Sequence, residues 1–434
     1  KIYLFHKDSS TPLWSYDTYD DVQSVAISAD GSFIVAASGA WDPGKIYLFN
    51  KNSSTPLWNY ETGGSFGDCR NHCVDISADG EYIVGGYDKV LAFNRGSNTP
   101  LWNYAVDNSV KSVSISADGE YIAAGDFGND VFLFDKDSST PRWSYTTGNR
   151  PIVSLSADGK ILAAGASGRD HSNKKDVGYV KIFHLSDANE WVPKLVKIGS
   201  LENNWFGAEV AVSGDGKTVA VGGPGASGSA GQGRVVVYRY NESTEKWLQL
   251  GVGKYGVAGD DHFGRSLSIS ADGSVLAVGG PENDDAGSNR GRVDLFEISE
   301  SGDLQPLGLP IYGEANDDQS GVAVSLSDNG KRVAIAAHLN DGGGTDSGHV
   351  RLYEFIDGSW QQQGIDLDGP TQQSFRNNEN IAISLSGDGT HLAIGSPASN
   401  DSAPNTEGLV RVLKFHDSVT PTLSSCQTSI DGEK

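Results

Sequence analysis

The sequence contains no methionine and only three cysteines among 434 residues. Three thiols are too few for a disulfide framework, which excludes the small bridge-stapled scaffolds. Cys69 and Cys73 lie four apart around His72, a spacing open to a local disulfide in an oxidising compartment; a zinc site would need further ligands that are not evident nearby. No stretch approaches about eighteen consecutive apolar residues, so no direct membrane insertion is expected. Basic residues are scarce as well: 33 Lys and Arg stand against 56 Asp and Glu, a formal net charge of -23. Such a chain is a poor partner for nucleic acid, because phosphate binding needs clustered Lys and Arg. Helical periodicity between strands is also missing, which argues against a parallel sheet with crossover helices.

What is present is one unit, clearest at residues 110–148: VKSVSISADGEYIAAGDFGNDVFLFDKDSSTPRWSYTTG. VKSVSIS and EYIAAG alternate apolar with small or polar residues, as half-buried strands do. Asp118-Gly119 between them is a tight-turn signal, since both residues tolerate the positive φ of a short hairpin. VFLF and PRWSY supply a third and a fourth strand, and four antiparallel strands in about forty residues are the size of a propeller blade. The turn recurs at Asp30, Asp79, Asp118, Asp158, Asp215, Asp272, Asn329 and Asp388, each followed by Gly, at spacings of 49, 39, 40, 57, 57, 57 and 59.

These turns predict an all-β, eight-bladed β-propeller of four-stranded antiparallel blades, closed across the termini. Residues 1–415 form the single propeller in this reading. Its units run at about 22–69, 70–109, 110–150, 151–205, 206–262, 263–319 and 320–374, and a last one at 375–415 is completed by residues 1–21. Residues 416–434 are a tail or linker. Since residues 1–21 match only third and fourth strands, they are expected to supply the outer strand that the last unit has lost, or else to be the remnant of an earlier blade. With no methionine and an opening inside a strand, the chain is expected to be a trimmed product or part of a longer chain or assembly.

The units fall into two groups. Before about residue 150 they end in STPLW-x-Y-like strands bearing Trp14, Trp58, Trp102 and Trp143. This resembles the tryptophan-bearing outer strand of quinoprotein-type propellers and implies Trp wedged between blades. The family's glycine before the tryptophan, its vicinal cysteine pair and its carboxylate set are missing. From about residue 206 the pattern is Phe206-Gly207, Gly223-Pro224, Gly233-Arg234-Val235, repeated as Phe263-Gly264, Gly280-Pro281, Gly291-Arg292-Val293. Later units keep Ser320-Gly321, Gly348-His349-Val350, Ser396-Pro397 and Gly408-Leu409-Val410. These units resemble FG-GAP repeats, the blades of integrin-α-type propellers, which implies binding or scaffolding on a cell surface or in a secreted protein. The D-x-[DN]-x-D-G calcium loop of that family is reduced here to a bare [DN]-G turn, so its ion site is not carried over to these turns.

In a propeller the loops between second and third strands share one face with the blade-to-blade crossovers. Here those loops vary from GYDK at 86–89 to ASGRDHSNKKDVG at 166–178, and variable loops on a fixed scaffold are where binding is usually placed. Acidic residues crowd this face between 260 and 346. Trp41, Trp205, Asp260, Asp261 and Glu314 are the candidates for contact with a protein or carbohydrate partner. Asp284, Asp285, Asp317, Asp318, Asp341 and Asp346 could offer oxygen ligands to a hard cation, which makes calcium the one cofactor the loops would suit. No nucleophile or catalytic set accompanies them, so a non-enzymatic binding role outside the cytoplasm is expected. The competing reading is a quinoprotein-like or glycan-active enzyme with its site in the central channel.

Overall fold

The computed structural model describes residues 2–6, 16–18, 22–39, 43–66, 72–148, 150–200, 202–225, 231–299, 303–369, 381–396 and 409–414. They form strands and turns without a helix, and among them no helix is long and apolar enough to cross a membrane. The chain winds through seven sheets of consecutive antiparallel strands, read from the innermost outward. Blade 1 is Val22–Ile27, Phe33–Ser38, Lys45–Asn50 and Trp58–Glu61; blade 3 is Val110–Ile115, Tyr121–Asp126, Asp130–Asp135 and Trp143–Thr146. Blades 2 and 4 repeat this plan from Val74–Ile76 and Ile152–Leu155. Blades 5, 6 and 7 begin at Glu209–Val212, Ser266–Ile269 and Ser320–Leu326.

This corrects the expectation of eight four-stranded antiparallel blades: the propeller has seven. The remaining sheet, between blades 7 and 1, has three antiparallel strands of its own among the described residues, Ala382–Leu385, His391–Ser396 and Leu409–Lys414. Ile2–His6 adds to Leu409–Lys414 in parallel, with Ile2 opposite Val410, and Tyr16–Asp17 meets the same strand antiparallel at Leu409 and Val410. The turn count registered first hairpins, whereas a complete blade also needs its fourth strand. Among the described residues the last unit shows no fourth strand of its own, and the segment that docks there carries a third-strand sequence.

Each hairpin turn is a small hydrogen-bonded module. In blade 3, Ser116 Oγ donates to Asp118 Oδ1 (2.6 Å) and accepts from Tyr121 N (3.0 Å), while Glu120 N donates to Asp118 Oδ1 (3.0 Å). The same Ser–[DN] pairing occurs at Ser28, Ser77, Ser156, Ser213, Ser270, Ser327 and Ser386, all buried. Neighbouring turns are then stitched backbone to backbone, as in Ala78 N to Ala117 O and Ala117 N to Ala157 O, and Asp388 N to Ala29 O (3.3 Å) closes the circle.

The FG-G-x-V pattern has a mechanical meaning. Gly178, Gly233 and Gly291, at the start of third strands, make parallel bridges to Phe206, Phe263 and Ser320 of the following crossover. Gly207, Gly264 and Gly321 then sit at φ +85°, +89° and +93°, and a Cβ on Gly264 would stand 2.6 Å from the backbone oxygen of Arg234. Only glycine lets the crossover pass this close.

The tryptophans pack between blades, in opposite senses in the two groups of units. Trp58 and Trp102 reach forward, donating Nε1 to Arg95 O (2.8 Å) and Lys136 O (2.6 Å) of the next blade. Trp247 and Trp360 reach backward, to His184 Nε2 (2.7 Å) and Leu307 O (2.8 Å). The senses collide between blades 3 and 4, where Trp143 and Trp191 meet with ring centroids 6.4 Å apart. Trp14 lies outside the described residues.

Candidate functional site

The innermost strands line the channel with an apolar/serine alternation, and the serines are structural. Ser112, Ser114, Ser154, Ser268 and Ser325 accept backbone N–H groups of the following sheet (2.8–3.2 Å). Blade 2 departs from this rule. Asp75 stands where five other units have Ser and two have Ala (Ala26 and Ala211), and its Oδ2 accepts Ile115 N at 2.9 Å while Oδ1 accepts Ile76 N at 2.9 Å. Burial raises this carboxyl to about 6, against the two N–H bonds and nearby His72, which pull it down.

Above Asp75 the channel opens into a cavity of about 490 Å³ on the face of second-to-third loops and crossovers. Its wall carries Lys111, Arg150 and Arg265 against the carboxylates of Asp176 and Glu209. His72, from blade 2, approaches Glu209 of blade 5 with Nε2 to Oε1 at 3.5 Å. Burial alone would lower the His72 imidazole, but the charge and hydrogen bond of Glu209 outweigh it and the net shift is upward. Phe127 and Trp205 provide aromatic surface, with Lys111 Nζ 5.4 Å and the Arg150 guanidinium 5.8 Å from the Phe127 centroid. A protein of net charge -23 thus gathers three cationic side chains beside two carboxylates at its axis.

Trp205 is held there at φ +52°, its N–H donating to Asp176 O at 3.1 Å. His262 and Gln319 take the same left-handed conformation in the next two crossovers, at +52° and +54°. The strained position belongs to the repeat, and an aromatic at the mouth is what this crossover adds. Trp205 is 38% exposed, enough for one ring face to meet a ligand. Trp41 and Cys69 lie outside the described residues; Cys73 is buried and disulfide-bonded.

The acidic residues singled out in the sequence are spread over the rim of blades 5 to 7, and many of them fold their own loops. Asp261 and Asp318 are buried, each taking two backbone N–H groups on Oδ2: Val257 N and Ala258 N (2.6 and 2.9 Å), Glu314 N and Ala315 N (2.8 Å each). Asp260 and Asp317, just before them, adopt φ +65°. Asp284 Oδ1 accepts Asn289 N and Asp341 Oδ1 accepts Asp346 N, while Asp285 pairs with Arg292 at 2.6 Å. Asp317 Oδ1 accepts Asn289 Nδ2 at 3.0 Å. Asp346 itself sits at φ +51°, and exposed Glu314 lies over His349 and Arg351. The carboxylates at 284, 285, 317, 318, 341 and 346 are not brought together as a three-ligand group.

Of the cavity's charged and aromatic lining, the sequence draws out only His72, between the two cysteines, and Trp205 at the mouth, and the channel itself is the place of the competing enzymatic reading. Its one further sequence signal is Asp75 in VDIS, against VSIS in the next unit. Lys111, Arg150 and Arg265 carry no motif and converge only when the ring closes.

No protein-family model matches the chain, and no curated protein matches it. Among solved structures, the Kuenenia stuttgartiensis hydrazine synthase is 14% identical, with a TM-score of 0.52 over 77% of this chain and 96% of that one. A chain of a mitotic checkpoint complex is 16% identical, with a TM-score of 0.52 over 78% of this chain and 86% of that one. At such identities the likeness shows the fold alone, and that fold is a β-propeller.

Proposed function

We propose that this chain is a non-enzymatic binding propeller of the cell surface or extracellular space, related in its second half to FG-GAP propellers. Its partner is a carboxylate-bearing protein or carbohydrate, held at the channel mouth. The observation that carries this reading is a local gathering of cations: Lys111, Arg150 and Arg265 converge on an aromatic-lined cavity in a strongly acidic chain. Low-dielectric walls focus the field of such a cluster and draw anions to it, while the acidic exterior repels them elsewhere. Trp205 and Phe127 add flat apolar surface on which a sugar ring or an aliphatic side chain can rest. The disulfide at Cys73 supports an oxidising compartment.

The test is binding of uronic-acid oligosaccharides and of glutamate-rich peptides to the full chain, compared with the Lys111→Glu, Arg150→Glu double variant. The expected result is binding that weakens with salt and falls at least tenfold in the variant. Equal binding by both proteins, or a preference for neutral or cationic ligands, overturns the reading. A second reading, a glycan-cleaving site in the channel, draws support from Asp75, whose carboxyl at about 6 lies near His72. Release of shortened oligosaccharides by the parent chain and not by Asp75→Ser would favour it.

A further inference from the structure

At the outer rim of blade 7, Glu314, His349 and Asp366 each place one ligand atom within 4.8 Å of the others. His349 is fully buried, and neither of its ring nitrogens has a hydrogen-bond partner. Its Nδ1 faces Glu314 Oε2 at 3.7 Å. A buried imidazole with two unsatisfied nitrogens is costly unless something fills the place. The repeat shows what normally does. In blade 6 the equivalent residue is Arg292, whose guanidinium binds Asp285 at 2.6 Å and Asp294 at 2.7 and 2.8 Å. In blade 7 carboxylates again gather at this position, and the arginine has become histidine.

Arg351, two residues on, replaces that charge only in part. Its Nη2 is committed to Tyr312 O at 2.7 Å, and its Nη1 reaches Glu314 Oε1 no closer than 3.8 Å. Asp318 acts electrostatically on both Glu314 and His349. Glu314, Asp318 and Asp366 thus gather around a single guanidinium.

The geometry points to a divalent transition-metal site formed by His349, Glu314 and Asp366, suited to zinc. One imidazole nitrogen and two carboxylate oxygens are a zinc-type donor set with a fourth position left to water, whereas calcium takes oxygen ligands alone. Ligand bonds of about 2.0–2.2 Å require the donor atoms to close to roughly 3.5 Å. Glu314 is exposed and Asp366 is only half-buried, so both can swing inward while His349 stays fixed. This site lies apart from the channel cavity, and its fate does not depend on the ligand proposed there.

The experiment uses the full chain, stripped with a chelator and titrated calorimetrically with Zn²⁺, with Co²⁺ as a spectroscopic probe. One high-affinity equivalent is expected, together with visible Co²⁺ bands of a low-coordinate nitrogen–oxygen site. Glu314→Gln and Asp366→Asn should each weaken Zn²⁺ binding at least tenfold and keep the parent circular dichroism spectrum. His349→Asn should abolish the Co²⁺ bands, and the two carboxamide variants keep the test decisive should that core change unfold the blade. Absence of a stoichiometric equivalent, unchanged affinity in both carboxamide variants, or tighter binding of Ca²⁺ than of Zn²⁺ overturns the assignment.

Discussion

Asp75 offers the sharpest test of the channel's electrostatics, through replacement by the serine that the repeat uses elsewhere. Its carboxyl is moved by burial from an ordinary 3.8 to about 6, which costs up to about 3 kcal/mol when it ionises inside the fold. The sign follows from proton counting. Between pH 4 and 6 the folded chain binds more protons at this site than the unfolded chain, so stability falls as pH rises through that window. Above pH 6 the cost is fully present. A serine in place of Asp75 would keep an acceptor for Ile115 N, as Ser114 does for Leu155 N at 3.2 Å, without carrying a charge. Asp75→Ser is therefore expected to stabilise the protein by about 2 to 3 kcal/mol at pH 7.5 and by little below pH 4, a discount allowing for contact with channel water. The assay is urea denaturation of both proteins from pH 3.5 to 8, read as the difference between them. The difference is essential because His184, lowered to about 4 by burial and Lys194, has the opposite dependence. The cost of keeping that imidazole neutral is absent above pH 6.5 and grows as pH falls towards 4, so stability declines with acid there. Parallel stability profiles for parent and variant would refute the reasoning.

Three further outcomes are expected. Glu209→Gln should bring the His72 imidazole below its ordinary value of 6.5, since burial then outweighs what opposes it; NMR titration of the ring protons reads this directly. In the parent the His72–Glu209 contribution is present below pH 6.5 and lost as pH rises through the elevated folded value. Gly264→Ala should destabilise by about 2 to 4 kcal/mol, because φ is +89° and the new methyl would stand 2.6 Å from the Arg234 backbone oxygen; thermal denaturation measures it, and a neutral result refutes the close-passage account. Ser213→Ala should cost about 1 to 3 kcal/mol by leaving Asp215 Oδ1 and Thr218 N without their buried hydroxyl partner, with the loss visible as faster hydrogen exchange in that turn.

Much of the fold was legible because its causes are local. Alternating apolar and small residues set strands, and [DN]-G sets each hairpin, so the all-β class and the repeat could be read directly. The serine two residues before each turn was visible in the same stretches, and its hydroxyl ties the turn together. The blade count was not legible, because a fourth strand can come from anywhere in the chain, and Ile2–His6 docks in parallel where an antiparallel strand was expected. The acidic run from 260 to 346 was conspicuous in composition, yet the sequence could not show that Asp261 and Asp318 turn inward to hold backbone N–H groups.

The sequence by itself determined what each blade is made of: strands, turns and the glycines at which crossovers pass. Tertiary structure alone decided what meets at the axis and between blades. Ring closure places equivalent positions of different repeats side by side, so His72 finds Glu209 and Lys111 joins Arg150 and Arg265 across long stretches of chain. It likewise leaves His349 buried among carboxylates where the preceding blade keeps an arginine. Periodicity fixes neighbours along a strand, and only the closed ring fixes neighbours across the channel.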